Sequence, residues 1–203
     1  QECLVTVDGV PNQRACMTQA AAGAVVSRQV ARPDMTVVAR KRSAVPASRI
    51  DPDVLVIGGG AGGLSAAIAA RRAGASVALI DERAVPGGQY YKQASEGRPL
   101  DARQVEGARL VAEARESGAE IIAGSSVWGA FDGPLFLAEH QGGALVANPK
   151  TAIVATGAYE RPLIVPGWTL PGVMTTGAAQ TLWRGFRTLP GRRIAICGSG
   201  PLK

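Results

Sequence analysis

Residues 54–63 read Val-Leu-Val-Ile-Gly-Gly-Gly-Ala-Gly-Gly, and this stretch decides the fold. Its first four residues, Val54–Ile57, form a short continuous apolar run, which is typical of a buried parallel strand. Gly58, Gly60 and Gly63 then follow the spacing G-x-G-x-x-G. In this motif the first glycine permits a tight turn, the second lets the backbone approach a pyrophosphate, and the third lets the next helix pack closely on the strand. The stretch therefore favours a dinucleotide site over a purely structural glycine turn.

The residues that follow complete the pattern of a nucleotide-binding unit. We predict a helix over residues 64–73, whose N-terminus would direct unpaired N–H groups at the phosphates, and a second strand over residues 76–80. Asp81 closes that strand, where a carboxylate can accept hydrogen bonds from both hydroxyl groups of a ribose. Glu82 follows directly and is the alternative acid, but the strand geometry favours Asp81.

Three later segments favour FAD over NAD as the nucleotide. Residues 86–91, Pro-Gly-Gly-Gln-Tyr-Tyr, place a glycine pair where the chain could pass close to a long ligand. Residues 125–129 form an extended segment that could border an adenine ring. Residues 151–157, Thr-Ala-Ile-Val-Ala-Thr-Gly, predict another buried strand that ends in a small turn. That ending alone would be an ordinary turn at a strand end, so the inference depends on the order of all these segments.

This order of motifs resembles the FAD domain of the glutathione-reductase-like flavoproteins, which bind two dinucleotides. Residues 81–89, 155–162 and 166–174 narrow the resemblance to one branch. That branch contains the flavin subunits of opine oxidases, hydrogen cyanide synthase and related bacterial amine or proline dehydrogenases. The resemblance covers nearly the whole chain and implies FAD-dependent dehydrogenation of an amine C–H bond within a multi-subunit complex. It also implies a hetero-oligomer whose other member is an amine-oxidase-like flavoprotein subunit, a small-molecule amine substrate, and a cytoplasmic location.

The motifs and the resemblance together give a set of candidate FAD-binding residues. The glycine motif and Asp81 would hold the ADP half, and the others would border the remainder of the cofactor. No catalytic base is identified, because His140 is the only histidine and is predicted to be exposed in a polar turn. The candidates are Gly58, Gly60, Ala61, Gly62, Gly63, Asp81, Glu82, Arg83, Gly88, Gln89, Val127, Ala155, Thr156 and Gly157.

The first residues of the chain do not fit the FAD-binding pattern. Residues 4–7 alternate like a strand, Asp8 and Gly9 form a hairpin-type turn, and residues 13–17 return. Cys3 and Cys16 flank this hairpin. On their own, two such cysteines could be a buried pair with no further role. A disulfide has little support, because the chain has three cysteines and no secretory context.

The hairpin resembles the C-terminal half of a small [2Fe–2S] domain that accompanies these flavin subunits. Such a cluster needs four thiolates, and the first pair would precede Cys3. The resemblance therefore implies that the chain is a fragment, and that Cys3 and Cys16 are candidate ligands only in the full-length parent. Cys197 is predicted to be a small buried strand residue. The sequence contains no C-x-x-C, which argues against disulfide-reductase chemistry.

The predicted fold is α/β, a Rossmann-like FAD-binding domain with an inserted β-meander, preceded by a partial ferredoxin-like [2Fe–2S] domain. The meander would comprise residues 127–130, 135–139 and 144–147, after a helix over residues 101–117 and a strand over residues 120–123. A further helix is predicted over residues 176–186. The predicted domains are residues 1–31 for the ferredoxin-like part, 32–52 for a linker, 53–190 for an incomplete FAD-binding domain, and 191–203 for the start of a second nucleotide-binding domain.

Composition and charge exclude two other kinds of partner. The 203-residue chain has a net charge of +6, but its basic residues are dispersed and aromatic residues make up only 4% of the chain. It therefore offers no stacking platform for nucleic acid. Residues 54–70 carry no charge, yet their glycines favour a strand–turn–helix unit over a membrane span. Two alternatives to an amine-dehydrogenating flavin subunit stay open, namely an NAD(P)H-linked flavin reductase and a nucleotide-binding structural subunit.

Overall fold

The computed structural model describes residues 4–15, 18–19, 21–29, 47–95 and 97–198. The chain divides into two compact units, Gln1–Ala44 and Val45–Lys203. We describe each unit by itself.

The N-terminal unit contains a small antiparallel sheet. Its strands are β1 (Leu4–Val7), β2 (Val10–Arg14) and β3 (Val26–Arg28), in the order β2-β1-β3. The predicted hairpin is present, although its return strand begins at Val10, before the predicted start at residue 13.

A four-stranded parallel sheet forms the centre of the second unit. Its strands are β5 (Val54–Ile57), β6 (Val77–Asp81), β7 (Glu120–Ala123) and β11 (Thr151–Val154), in the order β11-β5-β6-β7. All three pairings are parallel, as the sequence predicts. The carboxyl ends of these strands therefore meet at one edge, which is where ligands bind in open α/β sheets.

The described residues of this unit form three helices: α1 (Ala61–Arg72), α2 (Ala102–Glu116) and α3 (Thr176–Phe186). Helix α1 begins three residues before the predicted start at residue 64. Its N-cap is Gly60, so the remaining glycines of the motif lie in the first helical turn. The unpaired N–H groups of that turn therefore belong to the glycine motif itself.

Three of the four strands of a second sheet lie between β7 and β11 in the chain order. This sheet contains β8 (Ser125–Phe131), β9 (Leu135–His140), β10 (Gly143–Ala147) and β4 (Ser48–Ile50), in the order β4-β10-β9-β8. The predicted meander is present, but β4 adds a fourth strand from the segment 32–52, which the sequence indicated to be a linker. This strand pairs in parallel with the open edge of β10, so that edge is hydrogen-bonded instead of exposed.

The parallel sheet is covered on both faces, which explains the continuous apolar runs of β5 and β6. One face packs against α1 and α2, and its buried cluster comprises Val56, Leu64, Ala67, Ile68, Val77, Leu79, Val111, Ala114 and Ala119. The other face packs against the meander, and its cluster comprises Leu55, Ala78, Ile80, Ile122, Ala138, Leu145 and Ala147. Successive strand residues alternate between the two clusters, as the strand periodicity requires.

Helical periodicity in the sequence favours an apolar face of Val105, Ala108, Val111 and Ala112 for α2. The residues that α2 buries are instead Gln104, Gly107, Val111 and Ala114. The side chain of Gln104 is fully buried. It can be buried without an unpaired polar group because its amide forms hydrogen bonds with three backbone groups. Its Nε2 donates to the carbonyl oxygens of Lys92 (2.7 Å) and Arg184 (3.0 Å), and its Oε1 accepts from Leu100 N (2.6 Å). This glutamine therefore joins α2 to α3 and to the segment that follows the second glycine pair.

Residues 193–197, which would form the buried strand predicted around Cys197, do not form a strand. This segment has no strand pairing, and the side chains of Ile194 and Ile196 are about 60% exposed (59% and 60%). Cys197 is likewise exposed and free, so its expected burial was wrong. An apolar run becomes a buried strand only beside a neighbouring strand, and among the described residues none pairs with this segment.

Candidate functional site

A cleft of about 1160 Å³ lies at the carboxyl edge of the parallel sheet. Its position matches the ligand site of open α/β sheets, and its volume suits a ligand larger than a drug-sized molecule. All the candidate FAD-binding residues except Gly63 line it, namely Gly58, Gly60, Ala61, Gly62, Asp81, Glu82, Arg83, Gly88, Gln89, Val127, Ala155, Thr156 and Gly157. The structure therefore brings together residues that are far apart in the sequence.

The glycines of the motif are required by close backbone contacts. A Cβ on Gly58 would lie 2.4 Å from the carbonyl oxygen of Ala155, so the glycine turn packs directly on the end of β11. A Cβ on Gly63 would lie 1.8 Å from the carbonyl oxygen of Gly58, so α1 could not approach β5. A Cβ on Gly88 would lie 2.7 Å from the Cα of Gly60. The two glycine segments thus meet across the floor of the cleft and form a narrow backbone cradle.

Asp81 lies at the floor of the cleft, where it is 6% exposed. Its Oδ2 accepts a hydrogen bond from Gly59 N, and its Oδ1 accepts one from Arg83 N at 2.8 Å. Each carboxylate oxygen has a second lone pair, so the group can still accept ligand hydroxyl hydrogens. Sequence reasoning missed Gly59, although it is part of the glycine run. A Cβ built on Gly59 would lie 2.8 Å from the Oδ2 of Asp81, so a larger residue there would keep the acid from reaching the turn.

Glu82 also lines the cleft, but its carboxylate contacts the segment that follows β11. The phenol of Tyr159 donates to its carboxylate, with O–O distances of 2.6 and 2.5 Å. This hydrogen bond is the main reason that the pKa of Tyr159 is raised. The structure therefore separates the two adjacent acids, because Asp81 faces the glycine turn and Glu82 faces Tyr159.

The N-terminus of α3 forms another wall of the cleft, which sequence reasoning missed. Glu160 caps this helix, because its carboxylate accepts hydrogen bonds from Gly177 N at 2.8 and 2.9 Å. The hydrogen bond from the Thr175 side chain is the main cause of the lowered pKa of Glu160. Gly177 has no Cβ, and one built there would lie 2.2 Å from the carboxylate. Glu160 therefore joins the segment after β11 to the N-terminus of α3.

A buried lysine lies behind this wall. Lys92 is 3% exposed, and its Nζ donates a hydrogen bond to Oγ1 of Thr181, a residue of α3 that lines the cleft. Burial lowers the pKa of Lys92 to about 8, and the positive charge of Arg83 contributes to the same shift. Nothing in the local sequence indicates this burial, since it depends on the position of α3.

The pKa of Lys92 predicts a pH dependence of stability. The group has a pKa of about 8 when folded and an ordinary value of 10.5, so the folded state binds fewer protons between these values. The free energy of unfolding therefore rises with pH across this window. We expect Lys92→Met to remove this contribution, so the advantage of the variant over the wild type shrinks from pH 8 to 10.5. Urea denaturation of both full-length proteins measures this difference, and parallel pH profiles would contradict it.

The prediction for His140, which contacts a residue of the cleft, was wrong. This residue ends β9 and is half-buried, whereas an exposed turn was expected. Its Nδ1 lies 2.6 Å from the hydroxyl of Ser125, which is buried and lines the cleft. The strand extends to this residue because β9 pairs with β8 and β10 on both sides.

The predicted iron–sulfur ligands, Cys3 and Cys16, lie outside the described residues. Among the residues that are described, no group of three or more histidine, cysteine, aspartate or glutamate side chains could hold a metal ion. Within the same part of the chain, no helix has both the length and the apolar character needed to cross a membrane.

Two family models match the chain. Residues 52–202 match the model described as pyridine nucleotide-disulphide oxidoreductase. Residues 1–31 match the model described as 2Fe-2S iron-sulfur cluster binding domain. These matches confirm the predicted fold class, and they indicate FAD and a [2Fe–2S] cluster as the cofactors. The backbone cradle at Gly60 and Gly88, with Asp81 beside it, fits the ADP half of FAD.

Several known proteins are similar to this chain. An opine oxidase subunit of Agrobacterium tumefaciens (strain Ach5) is 35% identical over an alignment of 163 positions, and the match covers 74% of this chain and 32% of that protein. Hydrogen cyanide synthase subunit HcnB of Pseudomonas aeruginosa is 31% identical over an alignment of 160 positions, and the match covers 73% of this chain and 33% of that protein. The crystal structure of L-proline dehydrogenase from P. horikoshii superposes with a TM-score of 0.71 at 27% identity, covering 93% of this chain and 38% of that chain.

These similarities confirm the predicted resemblance to the flavin subunits of opine oxidase, hydrogen cyanide synthase and proline dehydrogenase. The chain spans about a third of the length of these relatives.

Proposed function

The chain belongs to the pyridine nucleotide-disulphide oxidoreductase family, and on this premise we propose that it is the FAD-binding part of an amine-dehydrogenating oxidoreductase subunit. The substrate class is an amine or amino acid of the opine, glycine or proline type, oxidised by this protein or by a partner whose electrons it relays. The observation that carries the proposal is the cleft at the glycine motif, where Gly60, Gly88 and Asp81 converge. FAD, when bound, supplies the hydride-accepting chemistry, while the protein supplies binding and orientation.

Each part of the cleft has a proposed role toward FAD. The cradle of Gly60 and Gly88 admits the pyrophosphate, and the N–H groups of the first turn of α1 bind it. Asp81 accepts the hydroxyl hydrogens of the adenosine ribose. Val127 in β8 borders the adenine, and Thr156, which follows β11, borders the remainder of the cofactor.

The two neighbouring acids should differ in their effect on FAD binding. We expect Asp81→Ala in the full-length protein to weaken FAD binding about tenfold or more, because a charge-assisted hydrogen-bond acceptor contributes about 1.5–3 kcal/mol. Glu82→Ala should leave equilibrium binding nearly unchanged, since the carboxylate of Glu82 is hydrogen-bonded to Tyr159. Titration of the apoprotein with FAD, followed by flavin fluorescence, measures both constants. Equal small effects would remove Asp81 from its role.

We also propose a division of the chain into domains. Residues 1–31 form the end of a ferredoxin-like [2Fe–2S] domain, with Cys3 and Cys16 as ligands in the full-length protein. Residues 53–190 form the FAD-binding domain, and residues 191–203 begin a second nucleotide-binding domain. Single electrons would pass from FAD through the iron–sulfur cluster.

The proposed partner is an amine-oxidase-like flavoprotein subunit, and the proposed location is the cytoplasm. Support comes from the relatives, whose names describe them as subunits of opine oxidase and hydrogen cyanide synthase. Because those proteins are about three times as long as the matched region, the assembly concerns the whole protein. Co-purification of the tagged full-length protein with an amine-oxidase-like flavoprotein is the expected result.

Anaerobic spectroscopy of the full-length protein with its partner tests the proposed reaction. An opine, glycine and proline are each added, and the flavin absorption bands are recorded. We expect at least one of them to bleach the bands, while hydroxy acids of matched carbon skeleton leave them unchanged. Bleaching by NADH alone would favour a flavin reductase. A protein that retains only an adenine nucleotide would favour a structural role in the complex.

A further inference from the structure

The segment that follows β11 crosses the carboxyl edge of the parallel sheet. Residues 155–159 line the cleft, and Ala155 packs against Gly58 at the end of β5. In the sheet order, β5 lies between β11 and β6. A chain segment that leaves β11 and reaches the end of β6 must therefore pass across the end of β5.

A side-chain contact completes this crossing. Tyr159, at the end of the segment, donates its phenol hydrogen to Glu82, which directly follows β6. Both residues line the cleft, and Tyr159 is 75% exposed. Residues 155–159 and this contact together therefore span the glycine turn that follows β5. Because Tyr159 is exposed, water can compete for the hydrogen bond between the two side chains.

We propose that the Tyr159–Glu82 hydrogen bond is a latch over the nucleotide cleft, which must open each time the ADP half of the dinucleotide enters or leaves. The inference rests on the proposed function, because it requires that the cleft bind a dinucleotide. It assigns to Tyr159 and Glu82 a control of exchange rate, whereas Asp81 and the glycine cradle control affinity.

The latch has a kinetic signature. In the proposed mechanism the contact is formed both before the nucleotide enters and after it has bound. Its loss therefore lowers the barrier to entry and the barrier to release equally, and the dissociation constant stays the same. Because the hydrogen bond has a charged acceptor but is solvent-exposed, we expect both rate constants to rise about three- to tenfold.

Rapid-mixing measurements on the full-length protein test the latch. Association of FAD with the apoprotein is followed by flavin fluorescence, and release is followed after dilution of the flavoprotein. The variants are Tyr159→Phe, Glu82→Gln and the two combined. Tyr91→Phe is the matched control, because Glu106 acts on its phenol, as the raised pKa of Tyr91 indicates, and neither residue lines the cleft, so this change should leave both rates unchanged.

The expected result is that either single change raises both rate constants, and that the double change has no further effect. Three results would overturn the latch: unchanged rates, a rise in association alone, or additive effects of the two changes. A faster association alone would mean that the contact blocks the cleft and stays broken in the complex. Failure of the proposed function is distinguishable, since in that case FAD would not bind even the wild-type apoprotein.

Discussion

Replacing Gly63 with alanine should lower the free energy of unfolding by about 3 kcal/mol or more, at the upper end of the usual cost of overpacking. The added Cβ would lie 1.8 Å from the carbonyl oxygen of Gly58 and 3.3 Å from Cγ1 of Val56. Because both neighbours belong to β5 and its turn, α1 would have to move away from the parallel sheet. Urea denaturation of the full-length protein measures the loss.

Gly185→Ala is the matched control for that experiment. Gly185 is also a helical glycine, but a Cβ built there meets no atom within 4 Å. Alanine is the better helix former, so this change should leave stability the same or slightly higher. If Gly63→Ala proved as stable as Gly185→Ala, the close packing of α1 on β5 would be incorrect.

Replacing Gly60 with valine should abolish FAD binding without unfolding the protein. A Cβ on Gly60 comes no closer than 3.7 Å to its nearest neighbour, the Cα of Gly88, and the backbone of Gly60 has φ −78°, which any residue adopts. The valine side chain would instead occupy the cradle that the pyrophosphate must enter. We expect affinity to fall at least about a hundredfold, or roughly 2.7 kcal/mol.

Titration of the Gly60→Val apoprotein with FAD, together with its thermal unfolding midpoint, checks this expectation. Gly60→Ala should show an intermediate loss, because its side chain fills less of the cradle. Normal FAD affinity in Gly60→Val would place the pyrophosphate elsewhere. Lost affinity accompanied by a large fall in the midpoint would show instead that the substitution disrupts the fold.

The sequence predicts the centre of this site well because the requirements there are local. Gly58 and Gly63 are needed where backbone atoms approach within about 2 Å of a hypothetical Cβ, and only glycine satisfies such a position. Asp81 ends a strand whose apolar run is unmistakable. A backbone motif with a fixed spacing can therefore be recognised without knowledge of the tertiary structure.

The walls of the cleft could not be predicted in the same way. Gln104 is buried because three backbone groups from separate segments converge on its amide. Lys92 is buried because α3 covers it, and its hydrogen-bond partner Thr181 is distant in the sequence. His140 looked like a turn residue because it directly precedes Gln141-Gly142-Gly143. The strand reaches His140 because β9 pairs with neighbouring strands on both sides. These residues depend on contacts between elements, and local sequence patterns do not report such contacts.

The most direct test is the identity of the nucleotide that the full-length protein carries. The protein is purified, denatured, and the released small molecules are separated and quantified against the protein. The cleft around Gly60, Gly88 and Asp81 predicts stoichiometric FAD in the wild type and little or none in Gly60→Val. Release of only an adenine mononucleotide or NAD from well-folded wild-type protein, or equal FAD in both proteins, would contradict the assignment of this cleft as the FAD site.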